Sequence, residues 1–406
     1  MEYLFFKHNP WWEYKNWESK DKNIRDFNSM DIKWIPSWID EISLKPFSLN
    51  FIIGPRQVGK TTGIKLLIKN LLKKVNNPYS IFYFNCDFLS DIKDLINLIE
   101  NYLKIKESEK IKTSFIFLDE ITSLEYWWKP IKGFIDVGIF DKDILVISGS
   151  SSIRTKKYSE SFPGRRGRGK NITVLPLSFF EYLKVHNTDI KKSNEFQIRG
   201  LFKKYLSTGG FPKSINKVEF EEELVKSIER EIFNVGKDVE LFRKIILKII
   251  EKLPSSFSYN IISSNLGISH NTVRDYMQTM EDLFILKIIY WKYGKEIEFR
   301  KDKKICFRDP YLVKAFCNVY GCSLREDFLY ENIVQEHLFR KFGEIYYFKN
   351  KFEIDCIAKN LKIEVKAGKP HRKYPKGVLI LDKERIPRFL VDIYSEKQNS
   401  NSTLTL

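Results

Sequence analysis

Residues 51 to 62 restrict the fold more than any other part of the chain. The apolar run Phe51-Ile52-Ile53 reads as a buried strand, and Gly54-Pro55-Arg56-Gln57-Val58-Gly59-Lys60-Thr61-Thr62 after it meets the G-x-x-x-x-G-K-[ST] spacing at every fixed position. Two glycines let backbone N–H groups converge on phosphate, Lys60 reaches the β- and γ-phosphates, and the Thr61 hydroxyl falls where Mg²⁺ would sit at the start of a helix. That helix follows at once, since Gly63 to Lys73 places apolar residues at helical spacing with lysines on the other face. Strand, loop and helix in this register predict an α/β sheet that binds a nucleoside triphosphate. These residues do not separate ATP from GTP.

A second element on the metal side is expected, and Ser114-Phe115-Ile116-Phe117-Leu118-Asp119-Glu120-Ile121 supplies an apolar strand ending in two carboxylates. Asp119 is expected to hold Mg²⁺ directly or through water and Glu120 to polarise the attacking water, which points to hydrolysis rather than binding alone. The competing reading is a buried strand with an acidic turn. A third strand, Asp143 to Ile147, runs into Ser148-Gly149-Ser150-Ser151-Ser152. Ser150 is the candidate there for contact with the γ-phosphate or the water, against the plainer reading of a turn.

At 406 residues and 43% hydrophobic content the chain is long and apolar enough for two or three packed domains, which excludes a disordered protein. Its 69 Lys and Arg against 52 Asp and Glu give a net charge of +17, which favours an anionic partner, nucleic acid first and an anionic membrane surface second. Cys86, Cys306, Cys317, Cys322 and Cys356 form no C-x-x-C pair and no zinc pattern, and read as reduced thiols of a cytoplasmic protein. No apolar run approaches the ~20 residues that span a bilayer, and the first residues lack the pattern of a signal peptide.

The chain reads as a Trp-rich segment over residues 1–45 that packs on a core over 46–176, a mostly helical lid over 177–250, a winged helix over 251–310, a further α/β module over 311–392 and a tail over 393–406. Gly164-Arg165-Arg166-Gly167-Arg168-Gly169-Lys170 is either the source of an arginine finger, Arg165 first and Arg154 second, or a basic loop for a phosphate backbone, or simply solvated. Phe257 to Met277 has the cadence of helix–turn–helix with Gly267 at the turn and Ser269 as cap, which places His270, Asn271, Thr272 and Arg274 as DNA-contact candidates. Near the end, Asp355 on one strand and Glu364-Val365-Lys366 on the next fit the D-(x)n-E-x-K signature of restriction-endonuclease-like folds. Asp355 and Glu364 are candidate Mg²⁺ ligands, Lys366 orients water or stabilises charge at phosphorus, and Glu336 completes the site from the preceding helix. An active and a degenerate nuclease-like module both remain open.

This order of segments resembles a prokaryotic, especially archaeal, family of AAA-type ATPases with a winged-helix segment and a C-terminal restriction-endonuclease-like (PD-(D/E)XK) domain. The resemblance is carried by the phosphate loop, Phe117-Leu118-Asp119-Glu120, Ser148-Gly149-Ser150-Ser151, Gly164-Arg165, Pro176-Leu177-Ser178-Phe179, Thr208-Gly209-Gly210-Phe211-Pro212, Asp309 and Glu331-Asn332. It implies a P-loop parallel sheet with a helical lid, ATP and Mg²⁺ as the cofactors, DNA as a partner with branched or broken DNA among the candidates, and a ring or dimer in which the arginine finger acts in trans. The rival expectation is a nucleotide-dependent switch or scaffold whose nuclease-like module is inactive and binds protein.

Overall fold

The computed structural model describes residues 2–149, 162–189, 194–366 and 374–395. The chain forms two compact units, Met1–Leu175 and Pro176–Leu406. No helix among the described residues is long and apolar enough to cross a membrane, and the five cysteines are free.

The first unit is built on strands β1 (Ser48–Ile53), β2 (Ile81–Asn85), β3 (Phe115–Asp119), β4 (Ile144–Gly149) and β5 (Asn171–Thr173). Their spatial order is β2-β3-β4-β1-β5 and every pairing is parallel. β1 and β4 are buried at every residue, which is why both read as continuous apolar runs: a parallel sheet covered on both faces has no solvent side to alternate with. The register carries Asn85 beside Asp119 and Ile53 beside Gly149. The functional residues therefore gather at the carboxyl ends of the strands, where a doubly covered sheet opens its binding crevice.

Helices Lys60–Leu72, Ile92–Ser108 and Trp128–Asp136 make the crossovers. The Asp91 side chain caps the second by accepting the Asp94 N–H. Gly63, an unexpected residue inside a helix, is explained by Trp38: a Cβ at Gly63 would lie 2.2 Å from that indole ring.

The N-terminal segment packs its tryptophans as side chains of the core, with Trp11, Trp12, Trp17 and Trp38 buried. Its polar groups serve the edge strand β2. Trp11 and Trp12 both donate their ring N–H to the Ile81 carbonyl, at 3.1 and 3.0 Å. Asn9 accepts the Tyr83 N–H at 2.7 Å and donates to the Tyr83 carbonyl at 3.0 Å. Side chains thus take the hydrogen bonds that a neighbouring strand would otherwise take, and an unpaired edge is a template for unwanted pairing.

The second unit begins with helices and closes on a mixed sheet. Its strands are β6 (Leu286–Tyr293), β7 (Glu296–Glu298), β8 (Lys304–Phe307), β9 (Tyr346–Lys349), β10 (Glu353–Ala358), β11 (Leu361–Lys366) and β12 (Leu379–Asp382), in the order β12-β11-β10-β9-β6-β7 with β8 paired to β6. The helix Glu326–Phe342 packs against β8, β10 and β11 and is buried from Phe328 to Leu338.

The helices Tyr259–Leu266 and His270–Asp282 meet at Gly267, whose positive φ of 65° makes the turn. The Ser269 hydroxyl caps the second helix by accepting the Thr272 N–H at 3.0 Å, and β6 and β7 follow as an antiparallel hairpin. β6 also pairs in parallel with β9, so the hairpin belongs to the same sheet as the Asp355 and Glu364 strands.

Several residues that carried the family resemblance are architectural. The buried Asp309 carboxylate accepts the Gly210 N–H at 2.8 Å and the Tyr311 N–H at 2.8 Å. A Cβ at Gly209 would stand 2.0 Å from the Asp309 carboxylate. The Asn332 side chain accepts the Phe307 N–H and donates to the Phe307 carbonyl.

Candidate functional site

The phosphate loop leaves β1 at Gly54, and the reason for glycine there is a close approach of backbone: a Cβ would lie 2.0 Å from the Val174 carbonyl oxygen. Pro55, Arg56 and Gln57 are half-buried and Val58 is fully buried, so Val58 anchors the loop from within. Gln57 and Gly59 both take positive φ, 66° and 85°. Gly59 caps the helix that starts at Lys60, so Lys60, Thr61 and Thr62 occupy the first turn, where backbone N–H groups lack intrahelical partners and the helix dipole favours an anion.

Lys60 is buried, donates to the Gly54 and Pro55 carbonyls at 3.0 and 2.8 Å, and lies 3.8 Å from Glu120. The Thr61 hydroxyl donates to Asp119 Oδ2 at 2.7 Å. Lys60, Thr61, Asp119 and Glu120 therefore converge at the end of β1 and β3, as their sequence spacing predicts. Both oxygens proposed for Mg²⁺ are already adjacent, and this donor set of hydroxyl and carboxylate suits a hard divalent cation.

Sequence reasoning missed two hydroxyls that fix the acidic pair. The Tyr83 hydroxyl, from the middle of β2, donates to Asp119 Oδ2 at 2.9 Å. Ser148, from β4, donates to Asp119 Oδ1, and its oxygen accepts the Glu120 N–H at 3.1 Å. Glu120 sits in the left-handed region at φ 50°, and the Ser148 hydroxyl holds that turn. Burial raises the Glu120 carboxyl and Lys60 opposes the rise. Behind Tyr83, Lys65 pairs with Asp21 at 3.1 Å and lies 3.4 Å from the Tyr83 ring centroid; burial pulls its ammonium down to about 8.

Ser150 and Arg154 lie outside the described residues. Arg165 is ion-paired with Asp136 on the surface of the first unit. In the second unit His270, Asn271 and Arg274 are exposed and Thr272 is half-buried, one turn of helix presenting donors to solvent.

The second cluster lies around β10 and β11, in a cavity of about 250 Å³ lined by Lys304, Glu331, Glu353, Asp355, Glu364 and Lys366 among others. Asp355 and Glu364 do meet there, with Lys366 ion-paired to Glu364. Glu336 is elsewhere: its carboxylate is held by Arg308 at 2.8 Å and Arg340 at 2.7 Å, and Glu331, five residues earlier on the same helix, faces the cluster instead. The centre is taken by Lys304, whose ammonium reaches Glu331 at 2.9 Å, Glu353 at 2.8 Å and Asp355 at 2.6 Å. Asp355 Oδ2 accepts the Val365 N–H at 2.9 Å, and Glu364 Oε1 accepts the Tyr374 hydroxyl at 3.0 Å.

These residues, as they stand, do not fit the Mg²⁺ that the nuclease resemblance implies. An ammonium fills the point where the carboxylates converge, and among the described residues no group of three or more His, Cys, Asp or Glu side chains is arranged to hold a metal ion. The crowding of acids shows in their titration. Burial and then Asp355 push Glu331 up to about 8 and Glu364 up to about 7.

Residues 47–183 match the model of an AAA domain, and residues 199–321 match a domain of unknown function, DUF8612. Among curated proteins the chain is 26% identical over 341 residues to the uncharacterized protein MJ1544 of Methanocaldococcus jannaschii, covering 78% of this chain and 73% of that one. It is 25% identical to an uncharacterized protein of Haemophilus influenzae, covering 58% of this chain and 61% of the relative. Among solved structures it is similar to the Thermotoga maritima RuvB Holliday junction branch migration motor, at 15% identity and a TM-score of 0.33 over 68% of this chain and 88% of that one. It is also similar to the Aeropyrum pernix ORC2 protein, at 12% identity and a TM-score of 0.40 over the same two shares. Likeness this distant says nothing of what the chain acts on. Residues 47–183, which match the AAA domain model, thus carry the phosphate loop and bring Lys60, Thr61, Asp119 and Glu120 together.

Proposed function

We propose that the chain binds and hydrolyses ATP with Mg²⁺ and couples the cycle to DNA. The observation that carries the first half is the 2.7 Å contact between the Thr61 hydroxyl and Asp119 beside Lys60 and Glu120. In this reading the loop N–H groups from Gly54 to Thr62 cradle the phosphates and Lys60 leaves the loop carbonyls for the β- and γ-phosphates. Thr61 and Asp119 hold Mg²⁺, which supplies charge stabilisation when bound. Glu120 orients the attacking water and takes its proton, a role suited to a carboxyl whose affinity for protons burial has raised. Ser150, which follows Gly149 in sequence, is proposed for the γ-phosphate. Arg165 is proposed as a finger supplied in trans within an oligomer, on release from Asp136.

The DNA half rests on the net charge of +17 and on the exposed helix start at His270, Asn271, Thr272 and Arg274, read as the recognition turn of a winged helix. For the nuclease-like module two readings stand: metal-dependent cleavage by Asp355, Glu364 and Lys366, or an inactive module that binds protein in a cytoplasmic switch. Lys304 at the centre of the carboxylates favours the second.

The test is ATP turnover with and without single-stranded, duplex and four-way-junction DNA, for the wild type beside Lys60→Ala, Glu120→Gln and Lys366→Ala. Turnover abolished by Lys60→Ala and stimulation by one DNA form lost in Glu120→Gln is the expected result. Unchanged turnover in Lys60→Ala rejects the site, and slow turnover with no salt-sensitive DNA binding rejects the DNA half.

A further inference from the structure

The second cluster is a cation site of unusual construction, and its cation comes from the chain. Lys304 starts β8 and is 2% exposed, among Glu331, Asp355 and Glu364 at 9%, 4% and 1%. Buried carboxylates need a positive charge or a proton, because a bare charge in a dry interior is several kcal/mol too high in free energy. Here one ammonium bridges two of them, Glu331 from the long helix and Asp355 from β10, together with the half-buried Glu353. The contacts to Glu331 and Asp355 are charge-assisted hydrogen bonds and that to Glu353 is an ion pair.

The fourth acid, Glu364, has a cation of its own in Lys366, which is ion-paired with Oε1. Glu364 Oε2 is buried in the same cavity with no hydrogen-bond partner among the described residues, so the cluster holds an acceptor beyond those that Lys304 and Lys366 reach. Compact, buried oxygens converging on one point are what a hard divalent cation requires, and the residue standing at that point is lysine.

We propose that Lys304 is a resident cation occupying the place of a divalent ion, so that the native chain binds no metal between Asp355 and Glu364, and removal of Lys304 opens a divalent-cation site made by Glu331, Glu353, Asp355 and Glu364. The proposal uses nothing from the ATPase reading, and ATP turnover measured on the same samples tells a failure of one from a failure of the other.

The experiment is Mn²⁺ titration of the full, nucleotide-free chain, with free Mn²⁺ read by electron paramagnetic resonance. Wild type, Asp355→Asn, Lys304→Ala and Lys304→Ala/Asp355→Asn are compared, so that Mn²⁺ bound at the phosphate-loop site cancels. Lys304→Ala is expected to gain one site at least about tenfold tighter than any the wild type shows, and Asp355→Asn is expected to remove it. Wild-type binding that Asp355→Asn abolishes overturns the proposal, as does a folded Lys304→Ala that binds no more Mn²⁺ than the wild type.

Where Lys304→Ala does not fold, Lys304→Ala/Glu353→Gln removes one charge of each sign and is judged by the same criteria. Folding of either variant only in millimolar Mn²⁺ supports the proposal. Failure of both to fold in Mn²⁺ shows that metal does not replace the ammonium, and overturns it.

Discussion

Ser148→Ala removes a residue that touches no substrate, yet it is expected to slow ATP turnover sharply. Its hydroxyl donates to Asp119 and accepts from the Glu120 N–H, with Ser148 and Asp119 buried and Glu120 half-buried. A hydrogen bond to a charged group contributes roughly 1.5–3 kcal/mol, and a buried N–H left unpaired costs about 1–3 kcal/mol. The second cost is partly relieved if Glu120 leaves its left-handed turn, which is the movement that would misplace it. Taking about 1.5–3 kcal/mol as the share felt at the transition state gives a fall in kcat of about ten- to a hundredfold. Nucleotide affinity measured without Mg²⁺ should change little, because the loop and Lys60 are untouched.

Tyr83→Phe supplies the comparison. It deletes one bond to the same carboxylate and leaves Glu120 alone, so its loss should be the smaller. Steady-state turnover for the two variants, with nucleotide binding followed separately, checks the ordering. Turnover in Ser148→Ala within about twofold of the wild type, or a larger loss in Tyr83→Phe, would refute the reasoning.

Two further outcomes follow from burial. His337 accepts the Phe179 N–H at Nε2, 2.9 Å, with Nδ1 2.8 Å from the Ile333 carbonyl, so its ring is neutral; burial, then Arg340, pushes it down to about 3. The unfolded chain takes up that proton first as the pH falls, so stability present above about pH 6.5 is lost on acidification, roughly 1.4 kcal/mol of it by about pH 5.5. His337→Gln keeps an acceptor for Phe179, and urea unfolding across this range should show a flatter profile for it than for the wild type. Gly54→Ala should lower stability by about 1–3 kcal/mol through its clash with Val174. Gly133→Ala, inside a helix with no atom within 4 Å of the new Cβ, should raise it by about 0.5–1 kcal/mol; thermal unfolding of the pair distinguishes close packing from general intolerance.

The nucleotide site was legible because its residues come from contiguous runs whose spacing is set by strand, loop and helix. Ser148 was harder. The serine-rich end of the third strand was recognised, but which serine points at Asp119 depends on the register of β3 against β4, and that is fixed by distant packing. Glu331 and Glu336 illustrate the same limit on a helix. Five residues apart, they face directions about 140° apart, so only one joins the Asp355 cluster, and periodicity does not say which. Lys304 was invisible for another reason. It follows Arg300-Lys301-Asp302-Lys303, a run that looks solvated, and its partners lie 27 and 51 residues further on. The helix–turn–helix cadence matches two helices that meet at Gly267, while the sharing of β6 with a later sheet depends on a pairing with β9 that local pattern does not encode.

The tryptophans that close the edge of β2 also impose an order of events on biosynthesis. Trp11 and Trp12 bond a carbonyl 70 and 69 residues further along, and Asn9 bonds one 74 residues along. During translation these indoles leave the ribosome well before their partners exist, and the early chain carries large apolar rings with nowhere to bury them. Closing loops of that length is an entropic expense met only when β2 has joined the sheet. The segment that precedes the domain in sequence is therefore among the last to settle, and until it does the nascent chain presents both a sticky stretch and an open strand to whatever chaperone stands at the exit tunnel.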